Sequence, residues 1–131
     1  MPKLVEYADA PAEVRAVYDE IKAARNIPDV RNFWKSIANH PPTLRRIWDG
    51  LREVMGPGAL DPLMKELLYL AVSAANGCEY CTASHTASAK AAGMTPQMLG
   101  EVIAIVAMAA QTNQLAETWR VPLDRFYERL P

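Results

Sequence analysis

The sequence predicts an all-α fold, a single-domain helical bundle of about six to seven helices spanning residues 1–131. Three observations support this prediction. Apolar residues recur at helical spacing in successive segments of the chain. Prolines and glycines separate these segments at positions typical of helix starts and stops. No stretch shows the two-residue alternation of a half-buried strand, and 131 residues leave room for one domain of ordinary size.

Three helices are predicted in the N-terminal half. The first runs from about Pro11 to Arg25, with one apolar stripe and a proline at its start, where proline is tolerated. A shorter helix covers Val30 to Ala38, and the polar and proline-rich cluster Asn39 to Pro42 ends it. The third runs from Thr43 to Met55, where the turn Gly56 to Gly58 stops it.

The C-terminal half repeats the same start signal. An acidic cap followed by proline begins the helix at Asp61 to Ala75, and Asn76 to Gly77 supply the left-handed geometry that ends it. The next helix begins at about Cys78 or the residue after it and ends near Gly93. A threonine cap followed by proline begins a long apolar helix from Thr95 to about Thr118. A final amphipathic turn or two is expected from Leu123 to Leu130.

Composition excludes two classes of partner. The 14 basic and 15 acidic residues are spread along the chain, and the formal net charge is -1. Because there is no basic patch to neutralise phosphates, we expect no nucleic acid partner. The longest apolar run, Val102 to Ala110, is far shorter than the roughly 20 residues that span a bilayer, and the N-terminus lacks a signal-peptide pattern. We therefore expect a soluble cytoplasmic protein with no membrane partner.

Two helices are more apolar than one small domain needs. In Leu63 to Ala75 and in Met98 to Ala110, apolar residues occupy nearly the full circumference of the predicted helix. Such a helix is normally enclosed by neighbours, and a chain of this size has few helices to enclose it. The pattern therefore predicts that another subunit covers part of this surface, in a homo-oligomer.

The only two cysteines lie in NGCEYCTASH, the stretch from Asn76 to His85. If a helix begins at Cys78, then Cys78, Cys81 and His85 follow one another at three and four residues and project from one face. One helical turn brings two Cα atoms within the window of about 4.4–6.8 Å that a disulfide requires, so the pair can close and reopen. In a reducing compartment, a close cysteine pair is more often catalytic or metal-binding than a structural staple.

The position of the pair favours a reactive thiolate. Cysteine pairs at helix N-termini commonly have a lowered thiol pKa, because unpaired backbone N–H groups favour negative charge there. His85, one turn beyond Cys81, can take the thiol proton or stabilise the thiolate. Glu66 lies in an otherwise apolar stretch of the preceding helix and is the candidate to orient or recharge this histidine. The alternative is that Glu66 is a partly solvated residue paired with a neighbour such as Lys65.

These residues resemble the signature of a known family. Glu66, eleven intervening residues, Cys-Glu-Tyr-Cys from Cys78 to Cys81, three residues and then His85 resemble the alkylhydroperoxidase D proteins. That family lies within the carboxymuconolactone decarboxylase-like superfamily. The resemblance is close over about Asp61 to Met94, and elsewhere the helices agree only in general character.

The resemblance implies a role for each residue of the signature. Cys81 is the thiolate that attacks peroxide, Cys78 resolves the resulting sulfenic acid into a redox-active disulfide, and His85 with Glu66 forms the proton relay. Tyr80 departs from the pattern, since the well-studied type has a second histidine there. A phenol can donate a hydrogen bond to bound water or peroxide as a supporting group, but it does not replace histidine as a base.

The resemblance also implies the cofactors and partners. It implies an all-α fold of the alkylhydroperoxidase D-like type, often assembled as a trimer or hexamer. It implies that the protein binds no cofactor. The expected partners are a hydroperoxide substrate and an external dithiol reductant, either a small dithiol or a protein such as a lipoylated one.

The sequence thus predicts an enzyme, a thiol-dependent peroxidase that reduces organic hydroperoxides and has an antioxidant role. Two alternatives stay open: a general thiol–disulfide oxidoreductase that acts on protein disulfides, and a non-catalytic helical oligomer that binds partners or senses redox state. Zinc is a further possibility, because two thiolates, an imidazole and a carboxylate make an acceptable ligand set. Three ligands within eight residues of one helix converge poorly on a tetrahedron, so we predict no metal.

Other conspicuous residues have structural interpretations. His40, beside two prolines at a helix end, is interpreted as structural. Tyr69 and Met108 lie in apolar helices and are interpreted as packing residues, although either can line a peroxide channel. Three residues are expected in the core or at subunit contacts rather than in a ligand cage: Trp34, Trp48 and Trp119.

Overall fold

The structure, a computed structural model, describes residues 3–129 and contains no strand within them. Among these residues, six α-helices are flanked by two short 3-10 helices: Tyr7–Asp9, α1 (Ala12–Arg25), α2 (Asn32–Ile37), α3 (Pro41–Met55), α4 (Pro62–Ala75), α5 (Glu79–Ala91), α6 (Pro96–Thr118) and Tyr127–Arg129. The prediction of an all-α fold is confirmed. Among the described residues, no helix is long and apolar enough to cross a membrane.

The boundaries of α4 and α6 agree with the sequence prediction because their caps form as expected. The Asp61 carboxylate accepts a hydrogen bond of 3.0 Å from the backbone N–H of Met64. The Thr95 hydroxyl accepts one of 3.2 Å from the backbone N–H of Met98. Each bond satisfies one of the N–H groups that lack a partner in the first turn of a helix.

The start of α3 was predicted wrongly. The helix begins at Pro41 rather than Thr43, so the proline cluster lies inside its first turn instead of ending the preceding helix. Proline is tolerated there because N–H groups of the first turn have no partner within the helix. The preceding helix α2 is shorter than predicted, Asn32–Ile37 instead of Val30–Ala38.

Two further predicted boundaries differ from the structure. α5 ends at Ala91, and Gly93, where its end was expected, adopts a positive φ of 107° just beyond it. The amphipathic turn expected over Leu123 to Leu130 is reduced to the 3-10 helix Tyr127–Arg129. Leu130 lies outside the described residues.

The helices form two compact units, divided between Gly56 and Pro57. In the first unit, α1, α2 and α3 surround a core that includes the fully buried Tyr18, Ile21 and Leu44. Trp34 and Trp48 are buried in it and meet edge to face, with ring centroids 5.6 Å apart. Their interpretation as core residues is therefore confirmed. The single domain expected over residues 1–131 stays a prediction.

An ion cluster around the nearly buried Lys35 supports the first unit. Lys35, whose side chain is 8% exposed, donates hydrogen bonds of 2.7 Å to Glu6 Oε2 and to Asp29 Oδ2. The Tyr18 hydroxyl donates to the backbone carbonyl of Val5 at 2.9 Å, and burial raises the pKa of this phenol to about 12. Every charge in the cluster has a partner, as burial requires.

The second unit contains α4, α5 and α6. Its core is small and is built on Leu70, Ala89 and Met94. The 23-residue helix α6 has no buried residue. Met108 and Trp119 are 59% and 77% exposed, so neither packs within the described chain.

We expect the substitution Asp29→Asn to lower the free energy of unfolding near neutral pH and to have little effect in strong acid. The hydrogen bond from Lys35 lowers the folded-state pKa of Asp29. A lowered carboxyl pKa stabilises the folded protein fully above the unfolded-state value of about 3.9, and this stabilisation is lost as the pH falls through the folded-state value. Urea unfolding of both proteins, from neutral to strongly acidic pH, measures the difference in their free energies of unfolding. A difference that does not change with pH would contradict the assignment of the lowered pKa to Asp29.

Candidate active site

A helical hairpin made by α4 and α5 carries the predicted site. The chain reverses direction at residues 76–78, where the N–H of Gly77 donates to Ala74 and the N–H of Cys78 donates to Ser73. Only Gly77 in this turn has a positive φ, 68°, while Asn76 remains right-handed, so the expected left-handed geometry is confined to the glycine. The reversal lays α5 back along α4 and brings their side chains together.

The two cysteines lie at the start of α5. Cys78 is its N-cap residue, and the Cys78 sulfur accepts a hydrogen bond of 3.2 Å from the backbone N–H of Cys81. The Cα atoms are 5.3 Å apart, and the two sulfurs are joined in a disulfide. The structure thus brings this predicted pair together in its oxidised form.

The cap position has a consequence for the reduced form of the pair. The first-turn N–H groups of a helix carry partial positive charge and lack partners within the helix. A sulfur held at the N-cap lies among these groups, which favour a thiolate over a thiol. Cys78 was predicted as a possible first residue of the helix, and it instead lies just outside it, as the capping residue.

Glu66 and His85 form a direct pair between the two helices. Glu66 on α4 and His85 on α5 share a hydrogen bond of 2.7 Å between Oε2 and Nδ1. Their side chains are 19% and 16% exposed, so both are largely removed from water. The structure therefore brings together the carboxylate and the imidazole that the sequence proposed as partners.

This pair leaves one imidazole nitrogen for proton transfer. An ionised carboxylate only accepts hydrogen bonds, so with Glu66 ionised the Nδ1–H of His85 donates to it. The neutral ring then keeps its lone pair on Nε2, which is the nitrogen able to accept a proton. The hydrogen bond of Glu66 to Nδ1 sets the tautomer that a general base requires.

Tyr69, interpreted from the sequence as a packing residue that can also line a peroxide channel, lies directly beside the site. Its ring stacks on the imidazole of His85, with centroids 3.7 Å apart and planes inclined by 18°. Tyr69 follows Glu66 by three residues on α4, a spacing that places both side chains on one face of the helix. That spacing is the signal from which the contact could have been expected, once Glu66 was taken as a partner of His85.

The remaining candidates contribute less to the geometry. Tyr80 lies between the two cysteines in the first turn of α5 and is 45% exposed. Across residues 3–129, no three side chains of the His, Cys, Asp and Glu types are arranged to hold a metal ion. His40 precedes α3 and its Nδ1 lies 2.7 Å from the hydroxyl of Thr43, in keeping with its structural interpretation. The hairpin thus combines a dithiol–disulfide centre with an acid–base pair.

Comparison with known proteins identifies relatives of this chain. Residues 41–124 match the carboxymuconolactone decarboxylase family. A crystal structure of the alkylhydroperoxidase AhpD core from Rhodospirillum rubrum superposes with a TM-score of 0.93 at 47% sequence identity, covering 97% of this chain and 96% of that one.

Curated relatives carry a related name. Alkyl hydroperoxide reductase AhpD from Anaeromyxobacter sp. strain K is 34% identical over 128 residues, covering 88% of this chain and 66% of that protein. The protein of the same name from Mycobacteroides abscessus is 37% identical over 70 residues, covering 53% of this chain and 40% of that protein. This chain therefore spans at most about two thirds of the length of these relatives.

We expect Cys78→Ser to give a more stable reduced protein than Cys78→Ala, by about 1 kcal/mol. Both variants lack the disulfide, so they differ mainly in whether residue 78 offers an acceptor to the first turn of α5. Serine is among the preferred N-cap residues, and alanine has no acceptor atom. Urea unfolding under reducing conditions measures the difference, and equal stabilities would show that the cap does not contribute.

Proposed function

Because the chain belongs to the carboxymuconolactone decarboxylase family, we propose that it is a peroxidase that reduces organic hydroperoxides through the Cys78 and Cys81 dithiol. The observation that carries the proposal is the disulfide at the N-terminus of α5, on the same hairpin as the Glu66–His85 pair. The names of the curated relatives and of the Rhodospirillum rubrum structure support the same reaction class. An antioxidant role follows from removal of hydroperoxides.

The first step forms the nucleophile. His85 accepts the thiol proton of Cys81 at Nε2, while Glu66 holds Nδ1 and stabilises the imidazolium that results. Cys81 lies in the first turn of α5, where the positive end of the helix dipole favours negative charge on its sulfur. Cys81 is assigned this role by its correspondence to the family signature and by its place one helical turn before His85.

The next two steps consume the peroxide. The Cys81 thiolate attacks the distal oxygen of the hydroperoxide, so that an S–O bond forms, the O–O bond breaks and an alkoxide leaves. The alkoxide takes a proton, which the imidazolium of His85 can supply, and becomes the alcohol. The Cys78 thiol then attacks the Cys81 sulfenic acid, which forms the disulfide and releases water.

An external dithiol restores the enzyme. Its two thiols reduce the Cys78–Cys81 disulfide by thiol–disulfide exchange, and the reductant leaves as its own disulfide. The reductant is a small dithiol or a protein that carries one, such as a lipoylated protein. Tyr80, between the cysteines, is suited to donate a hydrogen bond to peroxide or water at the sulfur, in a supporting role.

A general thiol–disulfide oxidoreductase is the second candidate function. The disulfide itself favours it, because a reversible Cys-X-X-Cys pair at a helix N-terminus is also the working part of such enzymes. The two candidate functions differ in the oxidant with which the dithiol reacts, a hydroperoxide or a protein disulfide. Peroxide turnover faster than exchange with protein disulfides favours the peroxidase, and the reverse order favours the oxidoreductase.

We propose further that the protein works as a homo-oligomer, a trimer or hexamer, with α6 at the contact between copies. α6 has no buried residue, and no Asp, Glu, Lys or Arg lies between Glu101 and Glu117. Ile103, Ile105 and Met108 on this helix are each more than half exposed. An uncharged apolar helix surface of this kind is typical of a subunit contact.

Substitution of either cysteine is expected to stop the reaction at a different step. Cys81→Ser should abolish turnover of tert-butyl hydroperoxide with dihydrolipoamide, because the nucleophile is lost. Cys78→Ser should still consume about one equivalent of peroxide and accumulate a Cys81 sulfenic acid, since no resolving thiol remains. A coupled assay and trapping with dimedone, followed by mass spectrometry, measure these outcomes. Undiminished peroxide consumption by the Cys81→Ser protein would refute the proposal.

Light scattering tests the proposed assembly. The native protein should show a mass that is a multiple of the monomer mass, and Ile105→Glu should shift it towards the monomer because a charge enters the apolar contact. Ala16→Glu, which adds the same charge to an exposed residue of α1, serves as the matched control and should leave the mass unchanged. A native protein that is monomeric at micromolar concentration would contradict the assembly.

A further inference from the structure

We propose that Tyr69 is a positioning residue that holds the imidazole of His85 in the orientation needed to accept the Cys81 proton. The structure shows Tyr69 stacked on this ring, with a centroid separation of 3.7 Å and an interplanar angle of 18°. The effect of Tyr69 on turnover rests on the proposed function. Its effect on the orientation of the His85 ring does not rest on that function, because this effect follows from the stacking contact itself.

A single hydrogen bond does not define the orientation of an imidazole ring. The Glu66 carboxylate fixes where Nδ1 of His85 lies, at 2.7 Å from Oε2. The torsion that turns a histidine ring about its Cβ–Cγ bond is broad and roughly two-fold, so the ring can still tilt about this anchored nitrogen. A flat surface against the face of the ring removes that freedom, and Tyr69 supplies this surface.

Both constraints come from one turn of α4. Glu66 and Tyr69 are three residues apart in a regular helix, so their relative placement is set locally. α4 thus places the Glu66 carboxylate at the edge of the His85 ring and the Tyr69 ring against its face. Because Nδ1 and the ring plane are both defined, the direction of the Nε2 lone pair is defined as well.

The stacked ring also affects the charge that His85 carries during the reaction. When His85 takes the proton, the S–H bond of Cys81 breaks, an N–H bond forms at Nε2, and the ring becomes an imidazolium. The face of an aromatic ring carries partial negative charge, so Tyr69 stabilises the cation more than the neutral ring. The phenol hydroxyl is not needed for either effect, and phenylalanine should replace tyrosine with little loss.

The first part of the test is spectroscopic and requires no activity. The oxidised protein contains two histidines, and His40, hydrogen-bonded to Thr43, is an internal reference in the same spectrum. The ring current of Tyr69 should shift the His85 ring protons upfield in the NMR spectrum. Tyr69→Leu should abolish this shift, Tyr69→Phe should retain it, and the signals of His40 should be the same in all three proteins.

The second part measures the reactivity of Cys81 in the reduced protein. In a Cys78→Ser background, the rate of alkylation by iodoacetamide reports how much thiolate Cys81 forms. A misplaced imidazole stabilises the Cys81 thiolate less, so Tyr69→Leu should slow alkylation by about tenfold. Tyr69→Phe should restore the native rate, and Tyr127→Leu, which removes an exposed tyrosine elsewhere in the chain, should have no effect.

A double-mutant cycle shows whether Tyr69 acts through His85. In a His85→Ala background, Tyr69→Leu should cause no further loss of Cys81 reactivity, because the group that it positions is absent. An equal loss in both backgrounds would overturn the proposal, and so would a native rate in Tyr69→Leu. If Tyr69→Leu is less well folded by circular dichroism, Tyr69→Met provides a second non-aromatic side chain of similar length for the same measurements.

The outcomes separate this proposal from the proposed function. If the native protein fails to reduce hydroperoxides while the Tyr69→Leu effects appear as described, the peroxidase assignment fails and the positioning role stands. If hydroperoxides are reduced and the Tyr69→Leu protein keeps native Cys81 reactivity, the positioning role fails and the peroxidase assignment stands.

Discussion

The packing of α5 back against α4 is the constraint on which the site depends. Three residues connect the two helices, and the reversal requires the positive φ of Gly77. Beyond the two adjacent residues, no heavy atom lies within 4 Å of the position that a Cβ would take there, so glycine is needed for its backbone torsion rather than for lack of space. Without this turn, the cysteines, His85 and Glu66 would lie on helices with no defined relation to one another.

Cys78 links this turn to the disulfide. Its backbone N–H completes the end of α4 by donating to Ser73, its sulfur caps the start of α5, and the same sulfur forms the disulfide with Cys81. One residue thus ends a helix, begins the next and takes part in the disulfide. The N–H groups that require a cap are the same groups that favour a thiolate, so local helix stability and sulfur reactivity have a common electrostatic origin.

The two units of the chain differ in how they use apolar surface. The first unit encloses large side chains such as Trp34 and Trp48 and pairs its buried Lys35 with two carboxylates. The second unit has a small core, against which only the first turns of α6 pack, and no residue of α6 is fully buried. The polar pair Glu66 and His85 is therefore held by a specific hydrogen bond and a stacked ring, in a unit where few large side chains are buried. Specific contacts of this kind define an orientation that apolar packing, which is not directional, leaves open.

The sequence by itself determined the helices and the order of the reactive groups along them. The Asp61 and Thr95 caps, each followed by proline, predicted the starts of α4 and α6, and the spacing of Cys78 and Cys81 predicted a cysteine pair able to form a disulfide at a helix N-terminus. The start of α3 was misplaced because prolines that end one helix also suit the first turn of the next.

Only the tertiary structure decided which residues meet across the hairpin. It selected His85 as the partner of Glu66 and placed Tyr69 on the imidazole face, whereas Tyr69 had been assigned to packing. The physical reason is that the period of 3.6 residues fixes neighbours within a helix from local chemistry. The rotation and register of one helix against another depend on all the side chains packed between them, and no local pattern contains that information.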